Sequence, residues 1–306
     1  MRTMTLSANS TNLVQMCARK YDYESRRRLA PLHTAEPLEK GDLMHKMLAR
    51  FYRGRMNHKA PSDLIPDVVA YARRYVIDLE LGIQKAEECV KQFRDYVVYT
   101  ALDTWVPIAV EEPFSKLMYQ RPDVSCPMHE KWLESCKDCK RTEGLTILYK
   151  GKTDLIVKVT NVPGIVIIVD HKTGSRNQDP TGLSNQFMGY AWAFQDITPD
   201  RVPRVIINKI GFQKTLPPKD RFRRYTKSYQ RDVLEEWRSN TVYWVHQLLS
   251  YMDHNTFPAN FTSCDKYGGC VFRDVCYSIP SARERKLKIE FKVREKTDIF
   301  ADVDDE

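Results

Sequence analysis

The chain has no run of about 18 uninterrupted apolar residues, the length a helix needs to cross a bilayer, so a membrane span is not expected. Its first residues, Met1-Arg2-Thr3-Met4-Thr5-Leu6-Ser7-Ala8, lack an apolar core segment, so no secretory leader is read and the cytosol is the expected compartment. Without export, the eight cysteines are expected as thiolate ligands rather than as a disulfide framework. No internal repeat is found, and no helix-turn-helix or RNA-binding signature, so nothing in the chain reads a base sequence. An acidic excess is also missing. Lys and Arg number 48 against 40 Asp and Glu, leaving +8 and a pI near 9.0, a balance that favours a polyanionic partner. What is present is a chain of 306 residues, 42% hydrophobic and 11% aromatic, enough for a real core in one large domain or two small ones.

The most informative stretch is Gly151-Lys152-Thr153-Asp154, followed by Asp170-His171-Lys172. Thr153-Asp154-Leu155-Ile156-Val157 and Ile165-Val166-Ile167-Ile168-Val169-Asp170 are apolar and β-branched, and read as buried strands. Val162-Pro163-Gly164 supplies a turn between them, since Pro presets one turn dihedral and Gly tolerates the other. Such a hairpin brings Asp154 near Asp170, and strand alternation puts Asp170 and Lys172 on one face with the His171 ring on the other. Two carboxylates at a sheet end make a hard oxygen site suited to magnesium or manganese. A metal so held can activate water and stabilise a phosphoryl transition state. The same three-residue pattern also arises by chance in turns, so the rest of the chain has to decide.

Periodicity predicts helices over 9–30, with a Ser10/Thr11 cap and Leu13, Cys17 and Tyr21 on one face, and over 38–53, with Leu43, Met47, Leu48 and Phe51 inward. A long helical region over 63–105 is broken near Gly82. Residues 106–118 are expected to be extended, 120–143 form a polar insert, 145–159 and 165–171 are the metal-bearing strands, 181–195 a helix and 202–212 a strand. A basic stretch over 219–231 precedes an amphipathic helix over 231–252, a cysteine trio and an acidic tail over 298–306 that is expected to be mobile. We expect a single domain over 1–297, with a helical region at 9–105, core strands and helix at 106–118 and 144–214, and a C-terminal helix and cysteine cluster at 230–280. Helix, strands, helix, strand in that order fits a mixed sheet flanked by helices.

This pattern carries a family resemblance. G-x-x-D, a hydrophobic strand ending in D-x-K-T-G, and a helix with Q-x-x-x-Y (Gln186, Tyr190) resemble the RecB-type branch of the PD-(D/E)XK nuclease superfamily. Gly41 to His45 resembles the G-x-x-x-H helix of that branch. Cys17 with Cys264, Cys270 and Cys276 resembles its iron–sulfur members, among them AddB-type nuclease domains and the CRISPR-associated adaptation nucleases. The resemblance implies a restriction-endonuclease-like αβββαβ core with a mixed central sheet, an N-terminal helical region and a C-terminal iron–sulfur staple. It implies that Asp154 and Asp170 ligate Mg2+ or Mn2+, with the His171 backbone carbonyl as a third ligand and His45 adding a nitrogen that shifts preference towards manganese. Lys172 would orient the attacking water as base or electrostatic partner. Gln186 and Tyr190, four apart on one helix face, would support that lysine or touch the DNA backbone, with ordinary packing as the alternative. An acid from Glu111-Glu112 would join the shell, and Glu112 is marginally preferred because adjacent strand residues face opposite ways.

Cys264, Cys270 and Cys276, spaced by five residues each and interleaved with glycines, make a compact thiolate nest that lacks one ligand for a [4Fe–4S] cluster. By resemblance Cys17 is the fourth, tying the chain ends together. Zinc on the same four residues is the rival reading, and free buried cysteines are the third. In the insert, Cys126-x2-His129 and Cys136-x2-Cys139 have the spacing of a structural zinc site, which departs from the family pattern. Cys89 has no partner in sequence and reads as a packed core thiol. The basic stretch holds Arg221, Arg223, Arg224, Tyr225 and Lys227, a mixture that grips phosphates and stacks on unpaired bases, or forms a solvated hairpin edge. The expectation is a metal-dependent DNA nuclease acting as an exonuclease on single strands or DNA ends, in phage or prokaryotic recombination, repair or genome processing. A helicase or recombination protein is a candidate partner. The alternatives are a DNA-binding scaffold of a nuclease–helicase complex with a dead site, and a structure-specific endonuclease.

Overall fold

The computed structural model describes residues 2–32, 36–77, 82–121, 144–160, 162, 164–174, 182–197, 203–213, 215–266 and 269–295. The insert residues Cys126, His129, Cys136 and Cys139 and the acidic tail lie outside the described residues.

The sheet is built on one long strand. β4 (Leu145–Val159) pairs along its length with β3 (Trp105–Arg121), antiparallel. Its other edge is shared. Leu145 to Tyr149 pair in parallel with β1 (Arg2–Leu6), and Leu155 to Lys158 pair antiparallel with β5 (Val166–Gly174). β6 (Arg204–Gly211) adds in parallel to β5, and β7 (Phe222–Lys227) closes the edge antiparallel to β6. The result is a mixed six-stranded sheet. Gly164, in the turn between β4 and β5, sits at a positive φ of 77°, which glycine adopts without a Cβ clash.

Helices cover both faces, as near-continuous apolar strands require. On one face α3 (Glu36–Met56), α4 (Pro61–Ile77) and α5 (Ile83–Tyr99) bury Leu43, Met47, Val68 and Phe93 against Leu155, Val157, Ile167, Val169 and Ile206. On the other, α1 (Ala8–Met16), α6 (Asn185–Ala193) and α8 (Arg231–Asp253) bury Leu13, Phe187, Trp192 and Trp237 against Ile147, Tyr149, Ile168, Val205 and Ile207. β5 shows the alternation directly, with Ile167 and Val169 in one core and Ile168 in the other. A third core joins the chain ends. β2 (Leu29–Pro31) pairs with β8 (Phe291–Val293), and Tyr23 and Leu29 pack against Phe272, Val275, Leu287 and Phe291. α9 (Arg273–Tyr277) and α10 (Pro280–Glu290) complete this C-terminal unit. No helix among the described residues is long and apolar enough to cross a membrane.

Several boundaries differ from expectation. The helix expected over 9–30 starts at Ala8 with Ser7, not Ser10 or Thr11, as N-cap, in a capping box with Ser10. It breaks at Cys17, whose backbone is extended (φ −167°, ψ 113°), and resumes as α2 (Ala18–Tyr21) followed by a π-type turn over Asp22–Arg26. The helical region expected to reach residue 105 stops at Tyr99, and β3 starts at Trp105 and runs to Arg121. The break near Gly82 is present, with Gly82 as N-cap of α5 at φ 71°.

Candidate active site

β4, β5, α3 and α6 meet at one end of the sheet. Gly41 of α3 faces β5, where an added Cβ would lie 2.9 Å from Thr173 Oγ1, so the missing side chain lets the helix approach the D-x-K strand. One turn on, His45 Nδ1 lies 3.5 Å from Asp154 Oδ2. The same carboxylate oxygen accepts the His171 backbone N–H at 2.7 Å, which extends the contact between β4 and β5 beyond their last pair, Leu155 with Val169. Glu111 of β3 completes a trio. Ligand atoms of His45, Glu111 and Asp154 all lie within 4.8 Å of one another. Glu111 has an unusual positive φ of 54° and is ion-paired with Lys152. Glu112 is exposed and stands outside this group, so the marginal preference for Glu112 is corrected to Glu111. The register of β3 shifts between Pro107 and Ala109, which strand alternation alone does not reveal.

Asp170 is 1% exposed, with Lys172 Nζ 2.9 Å from its Oδ2. Gln186 Nε2 on α6 donates to Asp170 Oδ1 and to the Tyr190 hydroxyl, each at 3.0 Å, and that hydroxyl donates to the Lys152 carbonyl at 3.0 Å. Gln186 and Tyr190 thus lock one carboxylate oxygen of Asp170 and tie α6 to β4. The two aspartates are driven apart electrostatically. Burial raises Asp170 to about 6, opposed by Lys172 and reinforced by the Asp154 charge. Asp154 is half-buried, and although desolvation raises it, His45 and the His171 N–H hold it down at about 2. The His171 ring lies on the opposite side, stacked on Tyr52 at 5.8 Å and 13°, with Nδ1 at 2.8 Å from Asn208 Nδ2. Burial lowers its pKa to about 3, so the ring is neutral.

The donor set is what a divalent cation with oxygen and imidazole ligands requires: two or three carboxylates, one imidazole and a cation, Lys172, beside them. The residues present therefore fit the metal that such a site implies.

Cys17, Cys264, Cys270 and Cys276 are all half-buried, and Cys17, Cys270 and Cys276 lie near enough to Cys264 to act on its charge. Burial and then the other thiols, Cys17 included, raise the pKa of Cys264; burial also raises Cys270, against the Phe272 N–H and Lys20, with Cys276 and Cys17 adding to the rise. The extended break at Cys17 turns its sulfur towards the C-terminal unit, where the Asn260 N–H donates to it at 3.3 Å. Arg19 reaches Cys276 Sγ at 3.9 Å. Among the described residues, no three of these sulfurs lie within 4.8 Å of one another. Cys89 is fully buried, its thiol pushed up to about 12 by desolvation.

The basic stretch behaves differently from expectation at two positions. Arg221 is buried and pairs with Asp95 at 2.6 Å and with Gln92. Arg224 forks onto both Asp103 oxygens at 2.6 Å and lies 4.0 Å over the Trp105 ring. Arg221 ends the short helix α7 (Pro218–Arg221) and fixes it to α5, and Arg224 fixes β7 to the turn before β3, so both guanidinium groups are engaged by carboxylates. Tyr225 packs against the second core, while Arg223 is exposed and Lys227 half-exposed.

Fold and site together present a mixed sheet with an acidic, lysine-bearing cluster, a donor set for a divalent metal, at the junction of two strands. A family model for the PD-(D/E)XK nuclease superfamily matches residues 5–277, and the chain belongs to that superfamily. Its members are nucleases that use divalent metals, and DNA is the substrate the family implies. No curated protein matches the chain. Among solved structures, the chain is similar to a protein from Eubacterium rectale named "Putative exonuclease", at 10% identity and a TM-score of 0.45, covering 90% of this chain and 94% of that one. It is also similar to a protein named SSO0001, at 13% identity and a TM-score of 0.30, covering 78% of this chain and 75% of that one.

Proposed function

We propose that this protein is a Mg2+- or Mn2+-dependent DNA exonuclease that trims DNA ends in phage or prokaryotic recombination, repair or genome processing. The observation that carries the reading is the convergence of His45, Glu111 and Asp154 beside the Asp170–Lys172 pair. Asp154, Asp170, Glu111, His45 and the His171 carbonyl would hold the metal. When bound, such an ion lowers the pKa of a water and offsets charge developing on a phosphate. Lys172 stands beside Asp170 as an ammonium that would orient the attacking water or stabilise the phosphate oxygens. Gln186 and Tyr190 act on the same carboxylate from behind, keeping one Asp170 oxygen occupied and the other turned to Lys172.

The four cysteines are read as ligands of a [4Fe–4S] cluster. That reading rests on the resemblance to iron–sulfur nucleases, a [4Fe–4S] cluster taking four thiolates, with zinc on the same four residues as the rival. The insert residues Cys126, His129, Cys136 and Cys139 are read as a zinc site from their spacing alone.

The test is cleavage of end-labelled DNA by full-length protein. The reading expects activity with Mg2+ or Mn2+, none in EDTA, and none from Asp154→Ala or Asp170→Ala with either metal. Products shortened from an end mark an exonuclease, whereas internal cuts on circular single strands would replace that part of the reading with an endonuclease.

A further inference from the structure

A cleft of about 680 Å³ lies along α3 and α4, and His45 and Glu111 of the candidate metal trio line it together with Lys152. Its walls are two helix stripes at i, i+4, i+7 spacing. Lys46, Arg50 and Arg53 come from α3, and Asp67, Tyr71 and Arg74 from α4. Six cationic side chains line it against three carboxylates. Those three are engaged. Asp67 accepts both Arg50 bonds at 2.7 and 2.9 Å, Asp42 accepts the Tyr75 hydroxyl at 3.0 Å, and Glu111 is paired with Lys152. Lys46 is held 4.5 Å over the Tyr75 ring and Arg50 5.2 Å over Tyr71, so two of the cations are fixed in place by aromatic faces. Arg53 has no hydrogen-bond or ion-pair partner among the described residues, and Arg74 reaches Asp67 only at longer range. The cleft therefore carries surplus positive charge leading away from the hydrolytic centre.

Its size decides what it takes. Gly54 lets the helices close up, since an added Cβ there would sit 2.1 Å from Leu64 Cδ2. A space of 680 Å³ falls in the range that holds one small organic ligand, about 300–1,000 Å³. That is room for one or two nucleotides of a single strand. We infer that the α3/α4 cleft is the track for a single polynucleotide strand, gripping the phosphates that flank the scissile bond, so that the protein engages unpaired DNA. This rests on the nuclease reading only for the position of the scissile bond.

The test is binding of full-length protein, in EDTA so that nothing is cut, to fluorescein-labelled single-stranded DNA and to the same sequence as a blunt duplex. Single strands should bind at least tenfold tighter than the duplex. Arg53→Ala with Arg74→Ala should weaken single-strand binding at least tenfold and lower the slope of log K against log salt by about 1.4, at about 0.7 per phosphate contact. The charge-matched pair Arg285→Ala with Lys288→Ala on α10 should leave the affinity within twofold. Should the cleft variant lose its fold, photocrosslinking of thiouridine-containing single strands to the wild-type protein replaces it, with adducts expected within residues 42–74. An unchanged affinity and slope in a folded cleft variant, equal binding of duplex and single strand, or adducts confined to other segments would overturn the inference. Cleft-dependent binding without cleavage under any metal would leave the inference standing and remove the nuclease reading. Cleavage and binding unaffected in the cleft variant would do the reverse.

Discussion

Glu111 and Glu112 are neighbours on one strand, and only Glu111 comes within ligand range of His45 and Asp154. Its positive φ and its ion pair with Lys152 aim the carboxylate into the site. Glu111→Gln should therefore lower Mn2+ affinity at least tenfold, as measured by calorimetry on full-length protein, whereas Glu112→Gln should leave it unchanged. The reverse order would remove Glu111 from the ligand set. At this scale the sequence is legible where a motif fixes both residue type and spacing. Asp154, Asp170, Lys172, Gln186 and His45 all stand in such motifs, and they lie in linked contact in the fold, His45 on Asp154 and both Lys172 and Gln186 on Asp170. It is illegible where the geometry depends on a bulge or an unusual backbone angle at a non-glycine residue, as at Glu111. It also misleads where basic residues look free. Arg221 and Arg224 find their carboxylates more than a hundred residues away, at Asp95 and Asp103, and no local pattern announces that.

At the scale of elements, α6 is what seats the back of the site, and it does so by close contact with β4. A Cβ added at Gly189 would lie 2.0 Å from the Tyr149 hydroxyl, which donates to the Asn185 carbonyl at 3.0 Å. Gly189→Ala has to displace a fully buried ring. It should destabilise the protein by about 1–3 kcal/mol in chemical denaturation. Since Gln186 lies on the same short helix, it should also depress cleavage beyond what the fraction folded explains. Stability equal to wild type would mean that α6 can slide without consequence. Long elements with strong apolar patterns, α3, α8, β4 and β5, were readable from periodicity. β1 was not, because its five residues acquire a partner only in Leu145 to Tyr149. Nor were β2 and β8, whose three-residue strands exist only as a pair of chain ends.

Across the whole molecule, the N-terminal and C-terminal segments are bound to each other several times over. They share the β2–β8 ribbon, a core of Tyr23, Leu29, Phe272, Val275, Leu287 and Phe291, and the Arg27–Glu284 fork at 2.8 Å. Cys17 and the trio lie at the same junction, so a cluster there would restrain a very long loop. Protein purified without air should be brown with about four iron atoms per chain, and Cys17→Ser should lose colour and iron together and aggregate more readily. Colourless protein holding zinc instead would assign the site to the other metal. The convergence of Cys17 with residues 264–276 was legible only through family resemblance, since no spacing rule links ligands some 250 residues apart. The central claim, however, is hydrolysis at the Asp154–Asp170–Lys172 centre, and the most direct measurement is the single-turnover rate of Mn2+-dependent DNA cleavage by Lys172→Ala. Lys172 supports no described packing core, so the variant should fold as wild type and still bind DNA. Its cleavage should fall at least a hundredfold, within the range of about 10²–10⁴ that a positioned acid–base group contributes. Cleavage by Lys172→Ala near the wild-type rate would contradict the account.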